Sequence, residues 1–243
     1  MGLGKTLQVL TCILFFRNLL AAAEKRVGRR FPFRVLVVCP TSVLANWCAE
    51  AARFTPTLRV HCHHGSTRIA HAVGNGQSTT DPQGAGDEPE VVVTSLGTAR
   101  TDVAALSSIN WFLFVLDEAQ NVKNPSSQQT KAIKSIPARH HIAMSGTPVE
   151  NRLLEYWSIF DFANKGYLGA TPGEFNRNYA RPIEKESSQE VLKQFHRVTK
   201  PFLLRRLKTD KAIIRDLPDK IYCNESCALT TEQVALYEAL AEL

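Results

Sequence analysis

The sequence predicts an α/β fold in which a doubly wound parallel sheet is flanked by helices and followed by a helical appendage. Three observations support this fold class. Five short runs of β-branched and aliphatic residues recur along the chain, segments with helical spacing alternate with them, and the region after residue 163 is polar, basic and helical in pattern. Uninterrupted apolar strands indicate burial on both faces, which is typical of parallel sheets. Their alternation with helices favours right-handed crossovers.

The predicted strands cover residues 34–39, 58–62, 91–94, 112–116 and 141–144, and the predicted helices cover residues 6–23, 43–54, 126–136 and 151–162. Residues 73–90 are rich in Gly, Pro, Ser, Thr and acidic residues, a composition that predicts a mobile surface insertion. We therefore expect a sheet domain over residues 1–163, and a helical appendage over residues 164–243 that leads towards a further lobe.

Composition narrows the class of protein. Of the 243 residues, 44% are hydrophobic and 21% charged, which suits a globular domain and excludes collagen, coiled coil and wholesale disorder. The formal net charge of +6 permits a nucleic-acid partner without demanding one. Six cysteines occur without a C-x-x-C pair, which favours buried thiols in a reducing compartment.

The N-terminal segment admits two other interpretations. One is a signal peptide, and the other is a myristoylation site with Gly2 and Thr6 at the required offset. The apolar run over residues 9–16 ends at Arg17, so we expect no membrane span. A phosphate-binding loop is the better explanation, because it also accounts for Gly4 and Lys5.

The sequence MGLGKT at residues 1–6 opens directly into a helical pattern. Glycines let backbone N–H groups surround phosphate oxygens, and the start of the helix adds positive potential. Lys5 would reach the β- and γ-phosphates of a nucleotide, and the Thr6 hydroxyl would bind Mg²⁺. The first Gly of the full Walker pattern falls ahead of residue 1, so the short motif is weak when taken alone. The alternative is a Gly-rich start to an ordinary helix.

Two further strands end in residues suited to nucleotide chemistry. The apolar run at 112–116 leads into Asp117 and Glu118, at the sheet edge where α/β folds bind ligands. One carboxylate can hold Mg²⁺ and the other can orient and deprotonate water. The last strand ends near Ser145 and Thr147, whose hydroxyls can sense a γ-phosphate or simply cap a turn.

Three other features have simpler interpretations. His61, Cys62, His63 and His64 alternate across a strand, so we expect no zinc site. Trp47 and Trp157 follow helical patterns and are interpreted as packing residues. For the basic cluster of Arg205, Arg206, Lys208 and Lys211, a solvated helix face and a contact to DNA or between lobes both remain open.

Taken together, these motifs resemble helicase superfamily two and, within it, the Swi/Snf-related ATPases of bacterial type. MGLGKT is similar to the latter half of motif I, CPTSVLANW at 39–47 to motif Ia, and Thr94 with Ser95 to motif Ib. The sequence LDEAQNVKNP at 116–125 resembles motif II with its extension, and SGTPVEN at 145–151 resembles motif III. The resemblance covers essentially the whole chain outside residues 73–90.

The resemblance implies a RecA-like first motor lobe that binds ATP and Mg²⁺ and tracks double-stranded DNA. It assigns the phosphate cradle to five residues: Gly2, Leu3, Gly4, Lys5 and Thr6. It gives Asp117 the Mg²⁺ role, together with Thr6, and Glu118 the role of catalytic base. It assigns the coupling between nucleotide state and DNA binding to Gln120, Ser145 and Thr147. Contacts to the DNA backbone fall to Pro40, Thr41, Ser42, Thr94 and Ser95.

The chain departs from the family pattern in two ways. Leu96 stands where the family usually has Tyr. In addition, no segment resembles motifs IV to VI. In this family those motifs lie on a second RecA-like lobe and include arginines that close over the γ-phosphate. A non-catalytic remnant that binds DNA or protein is therefore an alternative to a motor lobe. An RNA helicase is disfavoured by the motif II extension. The bacterial form of motif II implies a cytoplasmic or nucleoid-associated protein.

The first prediction follows from the absence of motifs IV to VI. We expect the purified chain of 243 residues to hydrolyse ATP negligibly, because an arginine finger contributes about 10³–10⁵ in rate where it has been measured. The measurement is phosphate release with and without duplex DNA. Robust DNA-stimulated turnover by this chain alone would contradict the prediction.

Overall fold

The computed structural model describes residues 3–29, 31–65, 68, 89–146, 152–206 and 221–241. Five parallel strands form one sheet: β1 (Val35–Cys39), β2 (Val60–His63), β3 (Val91–Ser95), β4 (Trp111–Leu116) and β5 (Ala138–Ala143). The order across the sheet is β2-β3-β1-β4-β5. The predicted α/β fold with a parallel sheet is confirmed, and β1 and β3 are buried along their full length, as continuous apolar strands require.

Helices cover both faces of the sheet, because alternate residues of the central strands point to opposite sides. Val35 and Val37 of β1 face α1 (Lys5–Val27) and α2 (Thr41–Phe54), in one core cluster. Leu36 and Val38 belong to the other cluster. The second face is covered by α3 (Leu96–Thr101), α4 (Val103–Ser107), α5 (Gln128–Ser135) and α6 (Leu153–Ala163). The two short helices α3 and α4 were not among the predicted elements.

Helix α1 is longer than the uninterrupted apolar run that the sequence contains. Its 23 residues reach a mean hydropathy of 1.6 over an 18-residue window, so by length and composition it could cross a membrane. Core helices and signal sequences pass the same test, and 17% of that window is buried. In this structure Val9, Leu10 and Ile13 of α1 pack into the sheet core, which is the arrangement of a helix in an α/β layer.

The helices after α6 form a third cluster, which is aromatic. Beyond α6 the chain forms α7 (Pro172–Phe175), a π-helical turn (Asn176–Ala180), α8 (Arg181–Glu184) and α9 (Gln189–Thr199). Tyr156 and Phe160 of α6 pack with Phe175 and Phe195 from these elements. Since α6 is shared between clusters, the first compact unit runs to residue 203. The division predicted at 163/164 therefore does not coincide with the division into compact units.

The second unit comprises residues 204–243, and its described part contains α10 (Thr231–Ala241). Two predicted features fall partly outside the described residues. The described residues do not include positions 73–88 of the predicted insertion, nor Lys208 and Lys211 of the basic cluster. At the end of the insertion, Glu90 accepts a hydrogen bond from the backbone N–H of Arg59 through its side chain, at 3.1 Å, and lies 3.7 Å from the guanidinium of Arg17.

A core substitution tests the role of the central strand. Phe114 of β4 is fully buried and packs edge-on against Phe162 of α6, with ring centroids 4.9 Å apart. We expect Phe114→Ala to lower the free energy of unfolding by about 3–5 kcal/mol, because it removes a large side chain and leaves a cavity. Phe15→Ala, on a residue of α1 that is 61% exposed, is the control and should change it by less than about 0.5 kcal/mol. Urea denaturation followed by circular dichroism measures both, and equal losses would contradict the assignment of the core.

Candidate nucleotide and nucleic-acid site

The carboxyl edge of the sheet gathers the predicted site residues. Helix α1 begins at Lys5, β4 is followed by Asp117 and Glu118, and β5 is followed by Met144 and Ser145. The backbone N–H of Asp117 donates to Val38 O at 2.8 Å, which fixes the end of β4 against β1. In open parallel sheets this edge is where ligands bind, because loops and helix N-termini converge there.

The start of α1 has the geometry of an anion-binding turn. Gly4 precedes the helix in the left-handed conformation, with φ of +67°, and no side chain caps the helix. Because Gly4 has no side chain, it offers the first N–H groups of α1 no capping acceptor, and no acidic residue lies in the first turn. Leu3 O accepts a hydrogen bond from Gln8 Nε2 at 2.8 Å, which orders the approach to the helix. Gly2 lies outside the described residues.

Lys5 meets the acidic pair. Its Nζ lies 4.0 Å from Glu118 Oε1, with both side chains partly exposed to solvent. The turn at Gly4 and the acidic pair after β4 therefore lie next to each other in the structure. Thr6 follows in the first turn of α1, and the roles of Lys5 and Thr6 towards phosphate and Mg²⁺ stay predictions.

A hydrogen-bonded chain continues from Glu118 to the third motif. Gln120 Nε2 donates to Glu118 Oε2 at 2.8 Å, and Ser145 Oγ donates to Gln120 Oε1 at 2.8 Å. One amide side chain thus bridges the residues that follow β4 and β5, and the coupling role of Gln120 and Ser145 stays a prediction. Thr147, predicted with Ser145, lies outside the described residues.

Glu118 has an unusual backbone. Its φ is +48°, a left-handed backbone conformation that residues other than Gly rarely adopt. Three hydrogen bonds hold it there: Glu118 N–H donates to Asp117 Oδ1 at 2.9 Å, Asn121 Nδ2 donates to Glu118 O at 2.8 Å, and Ala119 N–H donates to Met144 O at 2.7 Å. Strained residues held in this way cluster at functional sites, and the catalytic role of Glu118 stays a prediction.

Asp117 is 7% exposed and accepts a hydrogen bond on each oxygen. Oδ1 takes the Glu118 N–H, and Oδ2 takes the indole N–H of Trp47 at 2.9 Å. A carboxylate oxygen accepts about two hydrogen bonds, so each retains capacity for a Mg²⁺ ion or its waters. Burial, and next the negative charge of Asp117, raise the pKa of the nearby Cys39 thiol to about 12. Cys39 therefore stays protonated at neutral pH, and its Sγ–H donates to Thr94 O at 3.7 Å.

The residues predicted to touch DNA divide into two groups. Pro40 caps the start of α2, and Thr41 and Ser42 in its first turn are exposed, so their hydroxyls are available to a phosphate. Thr94 is fully buried and its hydroxyl donates to His63 O at 2.8 Å. Ser95 is also buried, and its Oγ caps α3 by accepting from Thr98 N–H. In this structure both hydroxyls are buried and hydrogen-bonded within the protein, and their role in DNA contact stays a prediction.

Two histidines lie at the end of β2: His63 is its last residue and His64 follows it. His63 is buried, and its Nε2 lies 2.8 Å from Asp102 Oδ2. His64 Nδ1 lies 3.0 Å from Thr98 Oγ1. Within the described ranges, no group of three or more His, Cys, Asp or Glu side chains could hold a metal ion. These histidines brace β2 against α3 and α4.

Sequence reasoning assigned Trp47 to the core and missed its polar partner. Leu44, Trp47 and Ala51 share the buried face of α2, and that spacing is visible in the sequence. The acceptor of the indole N–H comes from β4, so no local pattern could identify it. The cap that Ser95 forms by accepting from Thr98 N–H was also missed, although Ser is among the preferred N-cap residues.

Comparison with known proteins gives a consistent result. The family described as "SNF2-related domain" matches residues 1–242. YwqA of Bacillus subtilis, named as a candidate ATP-dependent helicase/translocase, is 41% identical over 242 residues, covering 100% of this chain and 24% of that protein. The human TATA-binding protein-associated factor 172 is 34% identical, covering 100% of this chain and 13% of its own length.

A solved structure matches the fold. The Sulfolobus solfataricus SWI2/SNF2 ATPase core in complex with double-stranded DNA superposes with a TM-score of 0.68 at 37% identity. The match covers 100% of this chain and 46% of that core. The chain thus spans less than half the length of each of these relatives.

The left-handed glycine before α1 generates a prediction with a built-in control. At both Gly4 and Gly97 an added Cβ would meet open space, but only Gly4 has positive φ. We expect Gly4→Ala to lower the free energy of unfolding by about 1–2 kcal/mol, because alanine is strained in the left-handed region. Gly97→Ala, inside α3, should raise it by up to about 1 kcal/mol. Chemical denaturation of both variants measures the difference, and changes of the same sign would contradict the backbone assignment.

Proposed function

Because the chain belongs to the SNF2-related domain family, we propose that it is the first motor lobe of a DNA-dependent ATPase, binding Mg²⁺-ATP and the backbone of duplex DNA at the carboxyl edge of its sheet. The observation that carries the proposal is the approach of Lys5 to Glu118 beside the uncapped start of α1. This arrangement supplies a cation, backbone N–H groups and a carboxylate base within one small region.

The triphosphate binds at the start of α1. Phosphate oxygens accept from the first N–H groups of the helix, where the left-handed Gly4 leaves the approach open. Lys5 moves from Glu118 to the β- and γ-phosphates, because a triphosphate carries more negative charge than a single carboxylate. Nucleotide binding therefore releases Glu118 from its ion pair and frees it to orient the attacking water.

Thr6 and Asp117 would hold the magnesium ion, since a hydroxyl and a carboxylate with free acceptor capacity suit a hard cation. When bound, Mg²⁺ neutralises charge that develops on the β- and γ-phosphate oxygens. Glu118 accepts the proton of the attacking water through the carboxylate that Gln120 already orients. Ser145, at the far end of the Gln120 bridge, then senses any change at Glu118.

Duplex DNA lies along the same edge, at the first turn of α2. The related Sulfolobus core was solved in complex with double-stranded DNA, and this chain offers the exposed hydroxyls of Thr41 and Ser42 at the carboxyl edge of its sheet. Contacts from hydroxyls to phosphates do not depend on the base sequence, which suits a motor that moves along DNA. A second RecA-like lobe supplies the groups that close over the γ-phosphate, and we place the protein in the bacterial cytoplasm or at the nucleoid.

Nucleotide binding tests the proposal directly. We expect Lys5→Ala to weaken binding of a fluorescent ATP analogue in Mg²⁺ by about 10- to 100-fold, because a charge-assisted contact contributes about 1.5–3 kcal/mol. Lys25→Ala, on the exposed last turn of the same helix, is the matched control and should leave the affinity unchanged. Fluorescence anisotropy measures both affinities. If the unmodified chain fails to bind Mg²⁺-ATP, the chain is a non-catalytic remnant and the motor assignment is wrong.

A further inference from the structure

Trp47 links the predicted metal site to the helix that begins with the predicted DNA contacts. Its side chain is 1% exposed, and its indole N–H donates to Asp117 Oδ2 at 2.9 Å. The other two tryptophans are also buried, but their indole groups bond to backbone carbonyls: Trp111 to Leu106 O and Trp157 to Gly169 O. Trp47 is therefore the one tryptophan whose hydrogen bond ends on an ionisable side chain.

The bond fixes the orientation of the Asp117 carboxylate. With the Glu118 N–H on Oδ1 and the Trp47 N–H on Oδ2, rotation of the carboxylate would break a hydrogen bond on a buried group. Such a loss carries the desolvation penalty of the unpaired group. The remaining acceptor sites of both oxygens are thereby held in one direction, as a ligand for a metal with strict octahedral geometry requires.

Helix α2 carries this bond rigidly. Trp47 lies six residues after Thr41 in one uninterrupted helix, which corresponds to a distance along the axis of about 9 Å. The exposed end of the helix bears Thr41 and Ser42, and its buried face bears Trp47. If a bound DNA strand displaces α2 as a unit, the indole that orients Asp117 moves with it.

We propose that Trp47 is a positioning residue that orients Asp117 for Mg²⁺ and couples the metal site to DNA contact at the start of α2. This inference rests on the proposed function. By the reciprocity of linked equilibria, DNA bound at α2 changes the Mg²⁺ affinity of the nucleotide site, and Mg²⁺-nucleotide changes the DNA affinity by the same factor.

Trp47→Phe keeps a ring in the core and removes the indole N–H, and Trp111→Phe is the matched control. The measurement is the Mg²⁺ midpoint for binding of a fluorescent ATP analogue to the 243-residue chain. We expect Trp47→Phe to raise the midpoint about 10-fold or more, the usual effect of removing a hydrogen bond to a metal ligand. Nucleotide affinity in EDTA should stay unchanged, and Trp111→Phe should leave the midpoint unchanged.

Two further readouts separate positioning from packing. In NMR spectra of the chain labelled with ¹⁵N-tryptophan, the indole resonance that disappears in Trp47→Phe is assigned to Trp47. Asp117→Asn should change the chemical shift of that resonance and leave the chemical shift of the Trp111 indole unchanged. Duplex DNA should shift the Mg²⁺ midpoint at least about fivefold in the unmodified chain and in Trp111→Phe. The same DNA should leave the midpoint of Trp47→Phe unchanged.

The outcomes are distinguishable. If the unmodified chain shows no Mg²⁺-dependent nucleotide binding, the proposed function and this inference both fail. If it binds, but Trp47→Phe and Trp111→Phe have equal midpoints, only the positioning role of Trp47 is wrong. If the Mg²⁺ midpoint rises in Trp47→Phe while its response to DNA persists, or if DNA leaves the unmodified chain unaffected, the coupling through α2 is overturned.

Discussion

The approach of Lys5 to Glu118 is the interaction on which the functional interpretation depends. The two residues belong to segments far apart in the sequence, and only the parallel topology brings them together. Because all five strands run in one direction, the end of β4 and the start of α1 meet at one edge. An antiparallel arrangement of the same apolar runs would separate the lysine from the carboxylates, and the candidate site would not form.

The strain at Glu118 gives this edge a second property. A left-handed glutamate persists only when its surroundings over-determine its conformation. Here hydrogen bonds from Asn121 and to Asp117 do so, together with the hydrogen bond from Ala119 N–H to the carbonyl oxygen of Met144, the residue that follows β5. The segment after β4 is consequently a rigid element joined to both neighbouring strands. With the main chain of Glu118 fixed in this way, its carboxylate extends from a defined position, and Oε2 accepts a hydrogen bond from Gln120 Nε2 at 2.8 Å.

The sequence predicts most of the fold and part of the site, for physical reasons that differ. Strands such as β1 and β4 are continuous apolar runs, the pattern that burial on both faces of a parallel sheet produces. The short helices α3 and α4 escape detection because they contain too few turns for a period to emerge. The partnership of Trp47 with Asp117 joins a helix to a distant strand, and one-dimensional patterns carry no record of such contacts.

The limit of prediction from sequence is clearest for two pairs of residues: Thr41 with Ser42, and Thr94 with Ser95. Both pairs are small hydroxyl residues at strand ends on the same edge of the sheet. Thr94 lies between two paired neighbours, since β3 is flanked by β1 and β2 and α3 begins directly after Ser95. Thr41 has already left the sheet, because Pro40 ends β1 and starts a helix that turns its first residues outward. The side-chain chemistry is therefore the same at the two places, and the geometry of the strand end decides which hydroxyl residues are exposed and which are buried.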